Sequence, residues 1–404
     1  MRKLLLLIFS LVFVLIPLSS CSQAAPTDVT IDSSFVIVAA ENAVLAAESL
    51  QTTLAYHTAL DLELVTEASG NTKTITVAVN DSLSEGEYRT RITKNGLVIE
   101  AKDSLTLIMA VRNMRQRFIT ESALALPFTA FDCKNYSGII DMSSAPFRVM
   151  TQNIRYADDE GGNLVVNRAP RFQKLAQEYQ PDILCIQEDN RLWVPILQKF
   201  FTDNYGHSGM YSGGPVSNNG QGGNYQSIFF RTDRYKLVEE GAFWLTDTPE
   251  EATKLEGSKS IRSCTWVLLK DMLTNKELFV CNTHLDNTTN EVRMAQLNIL
   301  FEQVGNYMEQ YPTVFCGDFN ARPDSGVYQS VTERFSDPQI NAETNLSTID
   351  VTFTRYGTDD EPRRLDYMFY NSMLDAKLYQ ILNDQYDGYI SDHFGAFTEY
   401  SFVP

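Results

Sequence analysis

The stretch V-F-C-G-D-F-N-A-R-P-D-S, Val314 to Ser325, decides how the rest of the chain is read. Val314 to Cys316 is the apolar run of a buried strand, and it ends on two polar side chains, Asp318 and Asn320, with one residue between them. Side chains two apart on a strand share a face. Both are therefore expected to point into one pocket, provided the backbone stays extended through Phe319. Taken alone, Asp-Phe-Asn is explained as well by an Asx turn, in which the Asp side chain bonds backbone two residues on. The choice depends on whether other strands end the same way.

They do. F-R-V-M-T-Q ends at Asn153, I-L-C-I-Q at Glu188, and F-V-C-N-T at His284 with Asp286 beyond it. L-D-Y-M-F-Y opens with Asp366, and Ser391-Asp392-His393 precedes the last strand. Glu188, alone or with Asp318, is a hard oxygen set suited to Mg2+ or Mn2+. Asn153 and Asn320 can orient a water or a phosphate oxygen without adding negative charge. His284 and His393, two of only four histidines in the chain, can contact a phosphate or move a proton. Short strands with helices between some of them suggest α/β layering around two sheets.

The ordered set resembles the endonuclease/exonuclease/phosphatase superfamily, the fold of deoxyribonuclease I and exonuclease III, from about Phe147 to the C-terminus. The matching motifs are T-Q-N at Asn153, Q-E at Glu188, N-T-H-L at Asn282 to Leu285, G-D-F-N at Gly317 to Asn320, D-Y at Asp366 and S-D-H at Ser391 to His393. D-D-E-G-G-N, N-R-A-P-R and F-W-L-T-D-T-P look most like a bacterial metal-dependent branch. The resemblance implies a four-layer α/β sandwich, two packed β-sheets flanked by helices. It also implies in-line attack of water on a phosphodiester or phosphomonoester. Asp318 would be the base, with Asn320 holding the water or a phosphate oxygen. Glu188 would be the main ligand of Mg2+ (or Mn2+), helped by Asn153 and Asp392. His393, oriented by Asp366, would contact the phosphate, with His284 on the other side. Arg155 and Arg262 are candidate phosphate clamps, and Asp286 would tune His284 or contact substrate. The loop Gly213 to Asn224 lacks a phosphate-loop lysine and reads as a rim of the pocket.

At 404 residues, 44% of them hydrophobic, the chain has room for two domains. Residues 1–20 read as a signal peptide. Leu18 to Cys21 resembles a lipobox, so residues 21–28 would be a tether lipidated at Cys21. Residues 29–137 read as a small α+β non-catalytic domain, with a helix over Glu41 to Leu60, Asn42 as its cap and an Asn95-Gly96 hairpin. This part resembles the small domain that precedes the barrel in hexosaminidase-type glycoside hydrolases. Residues 147–404 would be the phosphoesterase, and the protein is expected to be a monomer. Five cysteines beyond Cys21 sit mostly in apolar runs and read as small buried hydrophobes. Cys264–Cys281 and Cys185–Cys316 bridges remain open. The net charge of -18 speaks against general duplex binding. The superfamily resemblance implies nucleic acid as a substrate, and the tether and the first domain fit a phospholipid head group or a phosphorylated glycan. The competing class is a non-catalytic glycan-binding or adhesin-like surface lipoprotein that retains the fold.

Overall fold

A computed structural model describes residues 28–57, 60–111, 131–134, 136–139, 145–201, 205–209 and 225–403. The signal segment, Cys21 and the loop Gly213 to Asn224 lie outside the described residues. The chain divides into two units, Met1–Met142 and Ser143–Pro404.

In the first unit, Phe35–Ala39, Lys73–Val79 and Gly96–Ala101 run parallel at the heart of a six-stranded sheet. Glu87–Thr93 returns antiparallel along Gly96–Ala101, with Thr93 opposite Gly96, so the Asn95-Gly96 hairpin forms as its sequence expects. The helix is Val44–His57, and it buries Ala46, Ala47, Leu50 and Leu54. A short 3-10 turn, Glu41–Ala43, precedes it. Asn42 lies inside that turn and is no cap; Ala40 holds the capping position without a side-chain bond. Residues 104–111 are helical.

The second unit is built on two sheets. One is seven-stranded, in the order Tyr205–Ser208, Tyr225–Arg231, Ile183–Asp189, Phe147–Asn153, Gly395–Phe402, Leu374–Leu382, Thr344–Asn345. The other is five-stranded, in the order Tyr235–Trp244, Ser263–Asp271, Glu277–His284, Thr313–Asp318, Asp366–Tyr370. Their inner faces share one apolar core that includes Val149, Cys185, Val280, Val314, Cys316 and Met368. Helices Val165–Tyr179 and Trp193–Phe201 cover the outer face of the first sheet through Phe172, Leu175, Trp193 and Leu197. The 21-residue helix Asn290–Gln310 covers the second through Leu297, Leu300 and Val304. The four layers match the architecture that the motifs imply.

Each sheet holds one parallel pair at its centre, 147–153 with 183–189 and 277–284 with 313–318. The carboxyl ends of all four strands therefore emerge at the same edge. Alternation fixes what they carry there. Val149 faces the inner core, so Thr151 and Asn153 do too; Leu278 and Val280 are followed on that face by Asn282 and His284. Val314 and Cys316 are followed by Asp318. The site is the polar continuation of the inner seam of the sandwich.

Cys185, Cys264, Cys281 and Cys316 are buried free thiols. Cys264 and Cys281 sit on adjacent strands with their sulfurs 3.0 Å apart. They pack as small hydrophobes, as their apolar surroundings suggest.

Candidate active site

Register assembles the centre. His284 lies opposite Asp318 across the parallel pair, and Asp318 lies opposite Asp366 across the antiparallel one. Gly317 permits this closeness. Its φ is +155°, and a Cβ there would lie 2.2 Å from the Thr283 carbonyl oxygen. Gly317→Ala must push the strands bearing His284 and Asp318 apart. It is expected to cost about 1–3 kcal/mol, read as a lowered midpoint in denaturant unfolding, and to lower turnover as well.

Asp318 is 1% exposed. Its Oδ1 accepts from the Asn320 backbone N–H at 2.9 Å, and Asn320 adopts a left-handed φ of +47°. The strand thus stops at Asp318, and extended geometry does not continue through Phe319. The Asx turn and the shared pocket both form, and it is the turn that brings Asn320 into place. Asn320 Nδ2 then reaches His284 Nε2 at 3.1 Å and the Leu285 carbonyl at 3.0 Å.

Asn153, fully buried, joins the two sheets. Its Nδ2 donates to Asp318 Oδ2 at 3.0 Å and to Glu188 Oε1 at 3.3 Å. Glu188 sits on a bulge with φ +66°, where the pairing shifts register, and this turns its carboxylate into the cleft. Its Oε2 accepts from the Tyr156 backbone N–H at 3.1 Å. Each oxygen keeps a lone pair for another partner. Beneath these residues Gln187 Nε2 donates to Asn282 Oδ1 at 2.7 Å across the sheets, and Gln152 Nε2 to the His393 carbonyl at 3.1 Å. Arg168 holds the turn after Asn153 by donating to the carbonyls of Arg155 at 3.0 Å and Ile154.

His393 Nδ1 bonds Asp366 Oδ2 at 2.8 Å, and its Nε2 lies 3.8 Å from Asp318 Oδ2. Thr352 Oγ1 fixes Asp366 through the backbone N–H groups of Leu365 and Asp366, at 3.0 and 3.2 Å. Burial alone would lower the pKa of His393. Asp366, with Asp318 and Asp392, outweighs it and pushes the imidazole up to about 10. Burial and the neighbouring Asp366 charge raise Asp318 to about 7, against the pull of His393, the Asn320 N–H and Asn153. His284 is the opposite case: burial, Arg262 and His393 hold it well below the usual histidine range. One histidine is a buried cation and the other is neutral.

These groups open into a cleft of about 1000 Å³ lined by Glu188, His284, Asp318, Asn320, Asp392 and His393. Arg155, Arg262, Arg293, Arg322, Arg355 and Arg363 line it as well. A chain with a net charge of -18 thus gathers six arginines around one cavity. Phe353 forms a wall, its ring edge-on to His393 at 4.9 Å and covered by the Arg363 guanidinium at 4.6 Å.

Two expected roles change. Arg155 is bound through Nε and Nη2 to Asp159 at 2.9 and 3.2 Å, with Asp392 at 3.7 Å, so it braces acidic residues. Asp286 is fully buried and is not a substrate contact; its carboxylate anchors Ser258 to Ser260 and Thr288. Arg262 does line the cleft, beside His284. Arg293, Phe353, Arg355 and Tyr356 carry no strand-end signal in the sequence and emerge only from the fold.

Glu188, Asn153 and Asp392 offer hard oxygens suited to Mg2+ or Mn2+. Asp318, Asp366 and His393 each bring one ligand atom within 4.8 Å of the others, spacing that could also hold a metal.

The profile described as the Endonuclease/Exonuclease/phosphatase family matches residues 150–393. The chain belongs to that family. Nocturnin of Xenopus laevis is 26% identical over 216 residues, 48% of this chain and 51% of that protein. The chain spans about half the length of that curated relative. An endonuclease/exonuclease/phosphatase of Bacteroides vulgatus has a TM-score of 0.59 at 23% identity, covering 64% of this chain and 99% of that one. A mannosyl-6-phosphatase of Bacteroides thetaiotaomicron has a TM-score of 0.58 at 24% identity, covering 63% and 100%. These structures share the fold. None of these findings supports the hexosaminidase-like resemblance of the N-terminal unit.

Proposed function

We propose that the protein is a metal-dependent phosphoesterase that hydrolyses a phosphodiester or phosphomonoester by in-line attack of water. The observation that carries this reading is the buried Asp366–His393–Asp318 row facing Glu188 in one arginine-lined cleft. Glu188, with Asn153 and Asp392, would hold Mg2+ or Mn2+, which when bound neutralises charge on the phosphate and its leaving oxygen.

Asp318 takes the proton of the attacking water. A carboxylate raised to about 7 is poised to do so near neutral pH. Asn320 holds that water or a phosphate oxygen, itself held by Leu285 and His284. His393, charged and fixed by Asp366, donates from Nε2 to a phosphoryl oxygen and stabilises charge as it develops. His284 stays neutral and orients Asn320. The arginines give an acidic protein a local field for a phosphate ester. The N-terminal unit serves as a non-catalytic spacer.

The sequence of the first 21 residues supports export and a lipid anchor at Cys21 on the outer side of a bacterial membrane. Nucleic acid and phosphorylated sugars are the favoured substrate classes. The name of the Bacteroides phosphatase of like fold supports the second of these. A non-catalytic adhesin is disfavoured, because every residue of the constellation is present in a chain of a hydrolase family.

Titration of Mn2+ into Glu188→Gln should show affinity at least roughly tenfold weaker than in the parent protein. Unchanged affinity would move the metal away from Glu188.

A further inference from the structure

Two cleft arginines each have a buried Nε that the chemistry above leaves without a partner. Arg262 is 8% exposed, and its Nε is buried with no hydrogen-bond partner among the described residues. Its nearest carboxylate oxygen, Asp286 Oδ2, is 3.7 Å away. That oxygen is already taken by Ser258 Oγ at 2.8 Å, Lys259 N at 3.1 Å and Ser260 N at 3.0 Å. Arg293 repeats the pattern. Its Nη1 donates to the Asp286 carbonyl at 3.2 Å and its Nη2 to Asn290 Oδ1 at 2.7 Å, while its Nε is buried and unpartnered.

By contrast, Arg155 and Arg363 are paired with Asp159 and Asp359. Asp286 offsets the Arg262 charge at 3.7 Å, but neither Nε donates a hydrogen bond; a buried donor left unmade is costly, and a guanidinium's planar fork matches the oxygens of a phosphate. Both arginines line the cleft together with His284. The first turn of helix Asn290–Gln310 lies on the same wall and adds the positive end of its dipole, offset in part by Glu291. His284 is neutral, so it does not satisfy an anion placed there.

We propose that Arg262 and Arg293 form a second phosphate subsite, so that the substrate carries another phosphate group beside the one cleaved. This rests on the reading of the His393–Asp318 centre as the seat of the scissile phosphate. The second group is the next phosphate of a nucleotide or the far phosphate of a sugar bisphosphate.

Calorimetric titration of the protein in EDTA distinguishes these sources without turnover. Adenosine 3′,5′-bisphosphate is compared with adenosine 5′-monophosphate, and fructose 1,6-bisphosphate with fructose 6-phosphate. The bisphosphate of one pair should bind at least about tenfold tighter than its monophosphate, and that pair identifies the source. Arg293→Gln should abolish the advantage, and Arg262→Lys, which keeps charge but loses the fork, should reduce it. Equal binding within both pairs, or an advantage unchanged in both variants, overturns the proposal. Failure of hydrolysis alone would leave this binding result standing and would count against the catalytic reading instead.

Discussion

Asp318→Asn is expected to lower kcat on the order of 10³-fold while leaving the fold intact. Proton transfer by a positioned side chain contributes roughly 10²- to 10⁴-fold, and no other described group is placed to replace Asp318. It accepts from Asn153 and from the Asn320 N–H, and it faces His393, so the carboxylate sits where all the elements converge. An amide can still accept from the Asn320 N–H, which preserves the turn, but it cannot take a proton. Steady-state kinetics on bis-p-nitrophenyl phosphate with saturating Mg2+ reads the effect as a loss in kcat with KM little changed. A variant within about tenfold of the parent rate would remove Asp318 from the role of base.

Asp366→Asn tests the other half of the centre and carries a pH signature. In the parent, His393 is charged from neutral pH up to about 10 because Asp366 outweighs burial. An unperturbed histidine titrates near about 6.5. The raised pKa means that the charged pair stabilises the fold fully below about 6.5 and loses that contribution as pH rises through about 10. With the carboxylate gone, burial is opposed only by Asp318 and Asp392, and the imidazole pKa falls well below about 10. At pH 8 the variant should turn over on the order of 10²-fold more slowly. Histidine side-chain NMR of the metal-free protein should show His393 protonated at pH 8 in the parent and neutral in the variant. An unmoved resonance would show that Asp366 does not set the charge of His393.

Much of this site was legible because strand periodicity and short motifs agree. Asn153, His284 and Asp318 continue the inner-face alternation of apolar strands, so their direction follows from parity alone. The reason Asn320 faces the pocket was not legible. Strand alternation and an Asx turn predict the same neighbour, and only the left-handed backbone at Asn320 separates them. Asp286 reads as an active-site acid from its place after N-T-H-L, yet its many local hydrogen bonds bury it as a loop anchor. Arg155 reads as a clamp until Asp159 is seen beside it. Arg293 looks like any charged residue of a long helix, and Phe353, Arg355 and Tyr356 lie in a segment with no motif. Their roles depend on loops converging from opposite ends of the chain, which periodicity cannot reveal.

The most direct test is divalent-ion dependence of ester hydrolysis by the purified protein. Bis-p-nitrophenyl phosphate, p-nitrophenyl phosphate, plasmid DNA and sphingomyelin would be offered after EDTA treatment and again after Mg2+ or Mn2+ is restored. Hydrolysis of at least one should vanish in EDTA, return with the ion and be lost in His393→Ala. No ion-dependent turnover of any of them, or a His393→Ala protein as active as the parent, would contradict a metal-dependent phosphoesterase centred on His393 and Asp318.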